Sequence, residues 1–268
     1  MTLAQLSWLD LSVAAALVVL LAVLAARARL EVSRPLLISA ARMVIQLALV
    51  GFVLEALFAH VALYWVSLMA MVMLILAGWE VVARQRRRLA GWWSFGISTG
   101  AMFISSFSVT VFALIALVQA TPWYEPRYAI PLLGMLLGNT MNGVALSQDR
   151  LIEGAWQQRD VIEARLMLGQ GWQEAMGSVS RESMRSGMIP LINGMAAAGV
   201  VSLPGMMTGQ ILAGSPPAEA VKYQILIFLL ITVGSGFGTL LANRLVARRL
   251  FDERERLRVD RLVEMQSR

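Results

Sequence analysis

Residues 61–88 read VALYWVSLMAMVMLILAGWEVVARQRRR. Up to Ala83 the run is apolar for longer than the ~20 residues a bilayer core demands, and it then meets Arg84, Arg86, Arg87 and Arg88. An apolar helix stopped by a block of arginines is a membrane span with its basic flank in the cytoplasm. The pattern recurs along the chain, which predicts spans at about 6–26, 36–58, 61–83, 94–118, 128–147, 188–212 and 222–246. Composition agrees: 58% of residues are hydrophobic and 15% charged, against roughly 25% charged in soluble domains, and mean hydropathy is +0.67. The expected fold is all-α and polytopic, with about seven transmembrane helices in one domain spanning 1–268.

Net charge is +6, and its placement explains it. Arg27, Arg29 and Arg34 follow the first run. Arg150, Arg159, Arg165, Arg181 and Arg185 lie between the fifth and sixth, and Arg244, Arg248 and Arg249 open a basic tail at about 248–268. The alternate loops carry only His60, then Glu125 with Arg127, then Glu219. Arginine in every second loop places the N-terminus outside and the C-terminus in the cytoplasm. The basicity is therefore topological, and nucleic acid is not an expected partner. The first run carries Asp10 and has no basic residue before it, so it reads as a retained span and not a cleaved leader. With no cysteine, no disulfide or thiolate metal site can form.

The one sizeable extramembrane piece runs from about 148 to 187. Leu151, Ala155, Ile162 and Leu166 fall near one face of a helix with Glu153, Arg159, Asp160 and Glu163 around the rest. Gly169-Gln170-Gly171 stops it, and a second short helix is expected from Trp172 to about Arg185. The tail from Arg248 alternates charges and leucines, which predicts a helical extension of the last span that can touch anionic lipid or a partner.

Polar residues inside the spans are few. Arg42 and Gln46 share a face one turn apart. An arginine there costs about 2.5–3.5 kcal/mol, so it either snorkels to the interface about 9 Å away or lines the bundle interior. Glu55 falls roughly opposite Gln46, and Glu80 one turn before Arg84 suggests an ion pair. Gly134, Gly138 and Asn142 recur every four residues, a small-residue stripe for close helix approach. The amides of Asn139 and Asn142 need partners in hydrocarbon or face a pathway. Asn193, Ser202 and Gln210 add polarity to the sixth run, and Gly234, Ser235, Gly236 and Gly238 to the seventh.

That sixth run contains Leu203-Pro204-Gly205-Met206-Met207-Thr208. Proline beside glycine breaks a helical ladder, which lipid tolerates only where the freed backbone is buried or lines a cavity. Thioethers suit soft ions, yet most of the sixteen methionines are scattered as gap-fillers do. Only Met206 and Met207, with Met135 and Met141 as possible neighbours, merit a metal reading, and no metal site is predicted. His60 is the sole histidine, without protease context, and Lys222 the sole lysine, followed by Tyr223. A phosphate-binding GxxxxGK[ST] loop is thus absent, so any ATP used must be hydrolysed by another chain.

Glu163-Ala164-Arg165-Leu166-Met167-Leu168-Gly169 resembles the start of the EAA loop of ABC-transporter permeases, although Pro190 stands farther away than the importer pattern has its proline. Arg42-x-x-x-Gln46-Leu47, Gly138-Asn139-x-Met141-Asn142, Leu166-x-Leu168-Gly169, Ser202 to Gly209 and Lys222-Tyr223-Gln224-Ile225 follow in order. Together they resemble the FetB permease family, over nearly the whole chain. That resemblance implies a bacterial inner-membrane, multi-pass permease subunit without enzymatic activity or bound cofactor. It implies export of iron or another metal, powered by ATP through a separate FetA-like ATPase. A permease homodimer and contacts with membrane lipid complete the expected assembly. Plant relatives are linked to aluminium tolerance and nucleotide-sugar transport, so a nucleotide-sugar-like substrate stays open. The resemblance places ATPase docking at Glu163, Ala164, Gly169 and Glu174. It places the translocation pathway or hinge at Arg42, Gln46, Asn139, Asn142, Pro204, Gly205, Met206 and Met207. The competing expectation is an ion-coupled secondary carrier using Arg42 and Glu55.

Overall fold

The computed structural model describes residues 7–59 and 61–264, so His60 lies outside the described residues. The chain divides into two compact units, residues 1–62 with 212–214 and residues 63–211 with 215–268. In the first, α1 (Trp8–Arg27) opens on a capping box. The Ser7 hydroxyl accepts from the Asp10 N–H at 3.3 Å and the Asp10 carboxylate accepts from the Ser7 N–H at 2.8 Å. Leu30 N–H bonds Ala25 O at 2.9 Å beside Arg29 in the left-handed region, and the chain turns into α2 (Ser33–Ala59). α1 and α2 pack on each other, leaving large apolar side chains such as Leu47 and Phe52 exposed.

The second unit begins with α3 (Leu63–Ala83), then β1 (Arg87–Leu89). A rod follows in which α4 (Trp93–Met102) and α5 (Ser108–Phe112) alternate with π-helical stretches Phe103–Phe107 and Ala113–Val118. Next come α6 (Pro126–Gln157), α7 (Arg159–Met167), α8 (Trp172–Ala175), α9 (Gly177–Ala197) and α10 (Gly205–Leu212). α11 (Pro217–Arg249) and β2 (Leu262–Glu264) complete it. Among the described residues, six helical segments are long and apolar enough to cross a membrane: α1, α2, α3, the α4–α5 rod, α6 and α11. α6 is the hub, packed against α3, α9 and α11.

Two cores stack along α6. One joins Leu74, Val81, Met102, Leu137 and Val144 within the apolar part of the rods, where close packing and not water expulsion supplies the drive. The other joins Leu151, Ile152, Ala155, Ile162, Met176, Val246 and Phe251 beyond it. There, burial of each large side chain from water contributes about 1.5–3 kcal/mol. Gly143 of α6 and Gly187 of α9 bring backbone against backbone. A Cβ at Gly187 would sit 2.6 Å from Gly143 O and 2.9 Å from Ser147 Cβ. The predicted stripe is displaced: a Cβ at Gly134 meets only Met73 Cε, at 3.2 Å, and at Gly138 nothing within 4 Å. Helix phase places those two glycines away from the tight contact.

Several boundaries also move. The helix of the fifth run does not stop at 147: α6 is 32 residues long and continues to Gln157. The helix expected from Trp172 to Arg185 is α8 followed by α9, which continues to Ala197. The sixth run is not one helix. α9 stops at Ala197, Gly199 turns with φ +82, and Pro204 precedes α10. Its carbonyl accepts from both the N–H and the hydroxyl of Thr208, at 3.1 and 3.2 Å. Proline here starts a helix, for which its fixed φ is suited, and the break lies upstream of it.

The tail reverses the expectation of a helical extension. α11 ends at Arg249, Phe251 bridges Leu257, and β2 pairs antiparallel with β1, Arg88 opposite Val263. The cause is local. Asp252 accepts the N–H groups of Arg254 and Arg256, both at 2.9 Å, bonding the backbone in competition with a helix. The Arg256 N–H foremost, then its guanidinium and the Arg254 N–H, hold the Asp252 carboxyl below its ordinary pKa, against partial desolvation. Leu250, Phe251 and Leu257 are thereby buried in the second core.

Candidate functional site

At the arginine-rich end, α7 buries Ile162 and rests Leu166 on the second core, as the spacing with Leu151 and Ala155 predicted. Its opposite face turns Glu163 and Ala164 outward. The Arg165 guanidinium donates to Ala175 O at 3.3 Å and to the Ser178 hydroxyl at 3.2 Å, tying α7 to α8 and α9. The helix stops in a Schellman motif: Gly169, φ +87, donates to Leu166 O at 3.0 Å and Gln170 to Arg165 O at 3.2 Å. Beside it lies an open groove of about 660 Å³ lined by Glu163, Met167, Gly169, Gln170, Arg254 and Leu257. Glu163 and Gly169 thus share one surface. Ala164 is exposed on α7 and Glu174 on α8, both outside that lining. The strongest feature is Met167 and Leu168, 85% and 82% exposed at the helix end. Sequence reasoning quoted these two without assigning them a role. Two apolar residues directly before a glycine cap, past the last buried position of a short polar helix, were the available signal.

This platform is stiffly mounted. Arg87 reaches Glu153 at 3.4 Å and Glu264 at 2.9 Å and lies 4.4 Å over the Trp156 ring. The Arg86 N–H donates to Asp149 at 3.0 Å, and Glu255 accepts the Trp172 N–H at 3.1 Å. β1, α6, α8 and the tail are so joined.

Midway along α6, polar groups find partners that spacing did not reveal. Asn142 accepts from Arg84 at 2.8 Å, and the expected Glu80–Arg84 pair closes at 3.4 Å. Asn139 donates back to Met135 O at 2.8 Å. Asn243 is a hub, donating to Ser147 at 2.9 Å and Ser183 at 2.6 Å while accepting from Ser180 at 2.7 Å. Gln148 accepts from Gln85 at 2.5 Å and from Ser98 at 3.0 Å. Arg42 and Gln46 sit exposed on α2, in the first unit.

At the opposite end, α6, α10 and α11 enclose a cavity of about 230 Å³ whose lining includes Arg127, Tyr128, Met135, Met206, Gln210 and Tyr223. Of the four methionines singled out, Met135 and Met206 come together, while Met207 and Met141 do not line it. Gln210 Oε1 is buried without a hydrogen-bond partner among the described residues. Pro204 and Gly205 form the entry to α10. Other methionines pack: Met102 and Met176 are buried, and Met195 Sδ accepts the Thr232 hydroxyl at 3.0 Å. Among the described residues no three His, Asp or Glu side chains gather as metal ligands. The cavity therefore offers thioethers, phenols, an amide and a guanidinium, and no carboxylate.

A sequence family described as "Uncharacterised protein family (UPF0014)" matches residues 8–251. "UPF0014 membrane protein slr1647" of Synechocystis is 38% identical over 86% of this chain and 88% of its own length. "Probable iron export permease protein FetB" of Escherichia coli K12 is 31% identical over 94% and 95%. "Protein ALUMINUM SENSITIVE 3" of Arabidopsis thaliana is 32% identical over 80% and 77%. No solved structure matches the chain.

Proposed function

The chain belongs to the UPF0014 family of multi-pass membrane proteins, and from that premise we propose that it is the permease subunit of an ATP-driven transporter. Its substrate in this reading is iron or another metal ion, carried out across the bacterial inner membrane. The relative named as an iron export permease, matched over nearly its full length, supports that choice. A lining without carboxylates offers a bare divalent cation no charge compensation, which favours a metal in a complex. The topology that accompanies this reading has the arginine-rich end in the cytoplasm. Counting α9, its break and α10 as one interrupted crossing gives seven spans and an outside N-terminus.

The observation that carries the proposal is the exposed Met167–Leu168 pair beside Glu163, at the end of a short helix locked to α8 and α9. An exposed apolar pair with a charged rim has the layout of a protein interface, apolar at its centre and polar at its edge. A cytoplasmic ATPase seated there pushes on a platform that cannot yield locally, so displacement passes along α6, a single helix of 32 residues. The outer cavity lies at its far end, where Pro131 and Met135 of α6 face Met206 of α10. Closure of the ATPase pair then alternates access, with the α9–α10 break absorbing the movement. A permease homodimer pairs with two ATPase subunits.

The test uses inside-out vesicles holding the permease with its partner ATPase. Met167→Asp with Leu168→Asp is expected to lower ATP-dependent metal uptake and ATPase co-purification by about tenfold or more, at unchanged permease abundance. Transport that persists without nucleotide or partner, driven by a proton or sodium gradient, sinks the proposal.

A further inference from the structure

Two concavities lie between the α4–α5 rod and α11. One is apolar, about 680 Å³, with Ile104, Phe112, Val233, Phe237, Leu240 and Leu241 in its lining. The other, about 720 Å³, lies toward the arginine-rich end and is walled by Trp93, Ile97, Leu245 and the returning tail. Leu241 and Leu245 are one turn apart on α11, and Ile97 and Ile104 two turns apart on the facing rod, so the two form one cleft.

Its lower part is rich in guanidinium. Arg248, Arg249, Arg254, Arg256 and Arg261 line it against only Asp252 and Glu253. Asp252 is already committed to Arg256 at 2.8 Å. Arg249 lies 4.0 Å over the Trp93 ring, and Arg261 donates to Arg249 O at 2.7 Å and Phe251 O at 3.3 Å, contacts that orient both without neutralising them. The Arg254 guanidinium has no ion pair among the described residues. Arginine forks in this arrangement suit phosphate oxygens. Directly above, Phe237 is 65% exposed on α11, a helix long and apolar enough to cross a membrane.

We propose that this cleft binds one anionic phospholipid of the leaflet at the arginine-rich end, with its phosphate among Arg248, Arg249 and Arg254 and an acyl chain along Phe112, Val233 and Phe237. Only an amphiphile uses both halves. A soluble phosphate compound leaves the apolar groove without a role, and an acidic protein segment meets a site walled on one side by lipid-facing side chains. The groove spans Leu226 to Leu241 on α11, which is about 22 Å at 1.5 Å per residue and longer than the ~15 Å hydrocarbon depth of one leaflet. The inference rests on the membrane reading of α4 and α11, and neither ATP nor transport enters its test.

The full-length protein, purified in detergent, is exposed to equal phosphatidylglycerol and phosphatidylcholine, and retained lipid is counted by native mass spectrometry. Wild type is expected to keep phosphatidylglycerol about tenfold or more over phosphatidylcholine. Arg249→Gln with Arg254→Gln is expected to abolish the preference. Arg254→Gln alone removes no described side-chain bond, guards against misfolding of the double variant, and is expected to reduce the preference about fivefold. Val233→Trp, which fills the groove and leaves the arginines, is expected to lower retention as well. No preference in wild type, or one unchanged in Arg254→Gln, overturns the proposal. Equal thermal stabilisation by inorganic phosphate alone also overturns it, in favour of a soluble phosphate site.

Discussion

The two ends of α6 are built on opposite principles. At the arginine-rich end, α7, α8, β1, β2 and the tail converge on one buried core, and Arg87 joins Glu153, Glu264 and Trp156 around it. At the other end α9 stops at Ala197, Val200 stands 90% exposed, no residue of α10 is buried, and Gln210 Oε1 lacks a partner among the described residues. One end resists local change; the other has little packing to lose. The asymmetry suits the proposed function, because a compliant input would dissipate displacement and a rigid far end could not open.

Substitutions at three positions test the contrast. The largest effect is expected at Gly187→Val, since a Cβ there meets the Gly143 carbonyl at 2.6 Å and Thr239 Cγ2 at 3.0 Å. Backbone cannot step aside as a flexible side chain does, so destabilisation of about 3 kcal/mol or more is expected, read as lower thermal unfolding and loss of folded protein. Asn243→Ala removes the bonds that join the hydroxyls of Ser147, Ser180 and Ser183 and is expected to cost about 1–2 kcal/mol. Titration of helicity with denaturing detergent reads this, and an unchanged midpoint argues that the hub is not structural. The smallest effect belongs to Gly209→Ala in α10, where a Cβ meets nothing within 4 Å. Relief of backbone entropy is expected to stabilise α10 by about 0.5–1 kcal/mol, seen as slower amide exchange there. Were Gly209→Ala as damaging as Gly187→Val, the two ends would not differ in packing.

Much of the architecture was legible because lipid imposes a coarse rule. Runs such as 61–83 and 222–246 became α3 and α11 within a few residues, and the face formed by Leu151, Ala155, Ile162 and Leu166 became the second core. The site was legible only in part. Met135 with Met206, and Glu163 with Gly169, share surfaces as the motifs suggested. The Arg84–Asn142 bond joins residues 58 apart, and Asn243 reaches residues 60 to 96 apart. No periodicity encodes such pairs.

By itself, the sequence determined that this protein lives in a membrane, where its arginines segregate, and that it contains no GxxxxGK[ST] motif. These follow from solvent preference and composition, which each segment expresses alone. Only the tertiary structure decided that Gly143 and Gly187, and not Gly134 and Gly138, bring helices together. It also decided that the tail returns as a strand against β1 and that Met167 and Leu168 face outward. Those outcomes depend on helix phase and on which distant surfaces compete for the same buried space, and neither is a property of a segment alone.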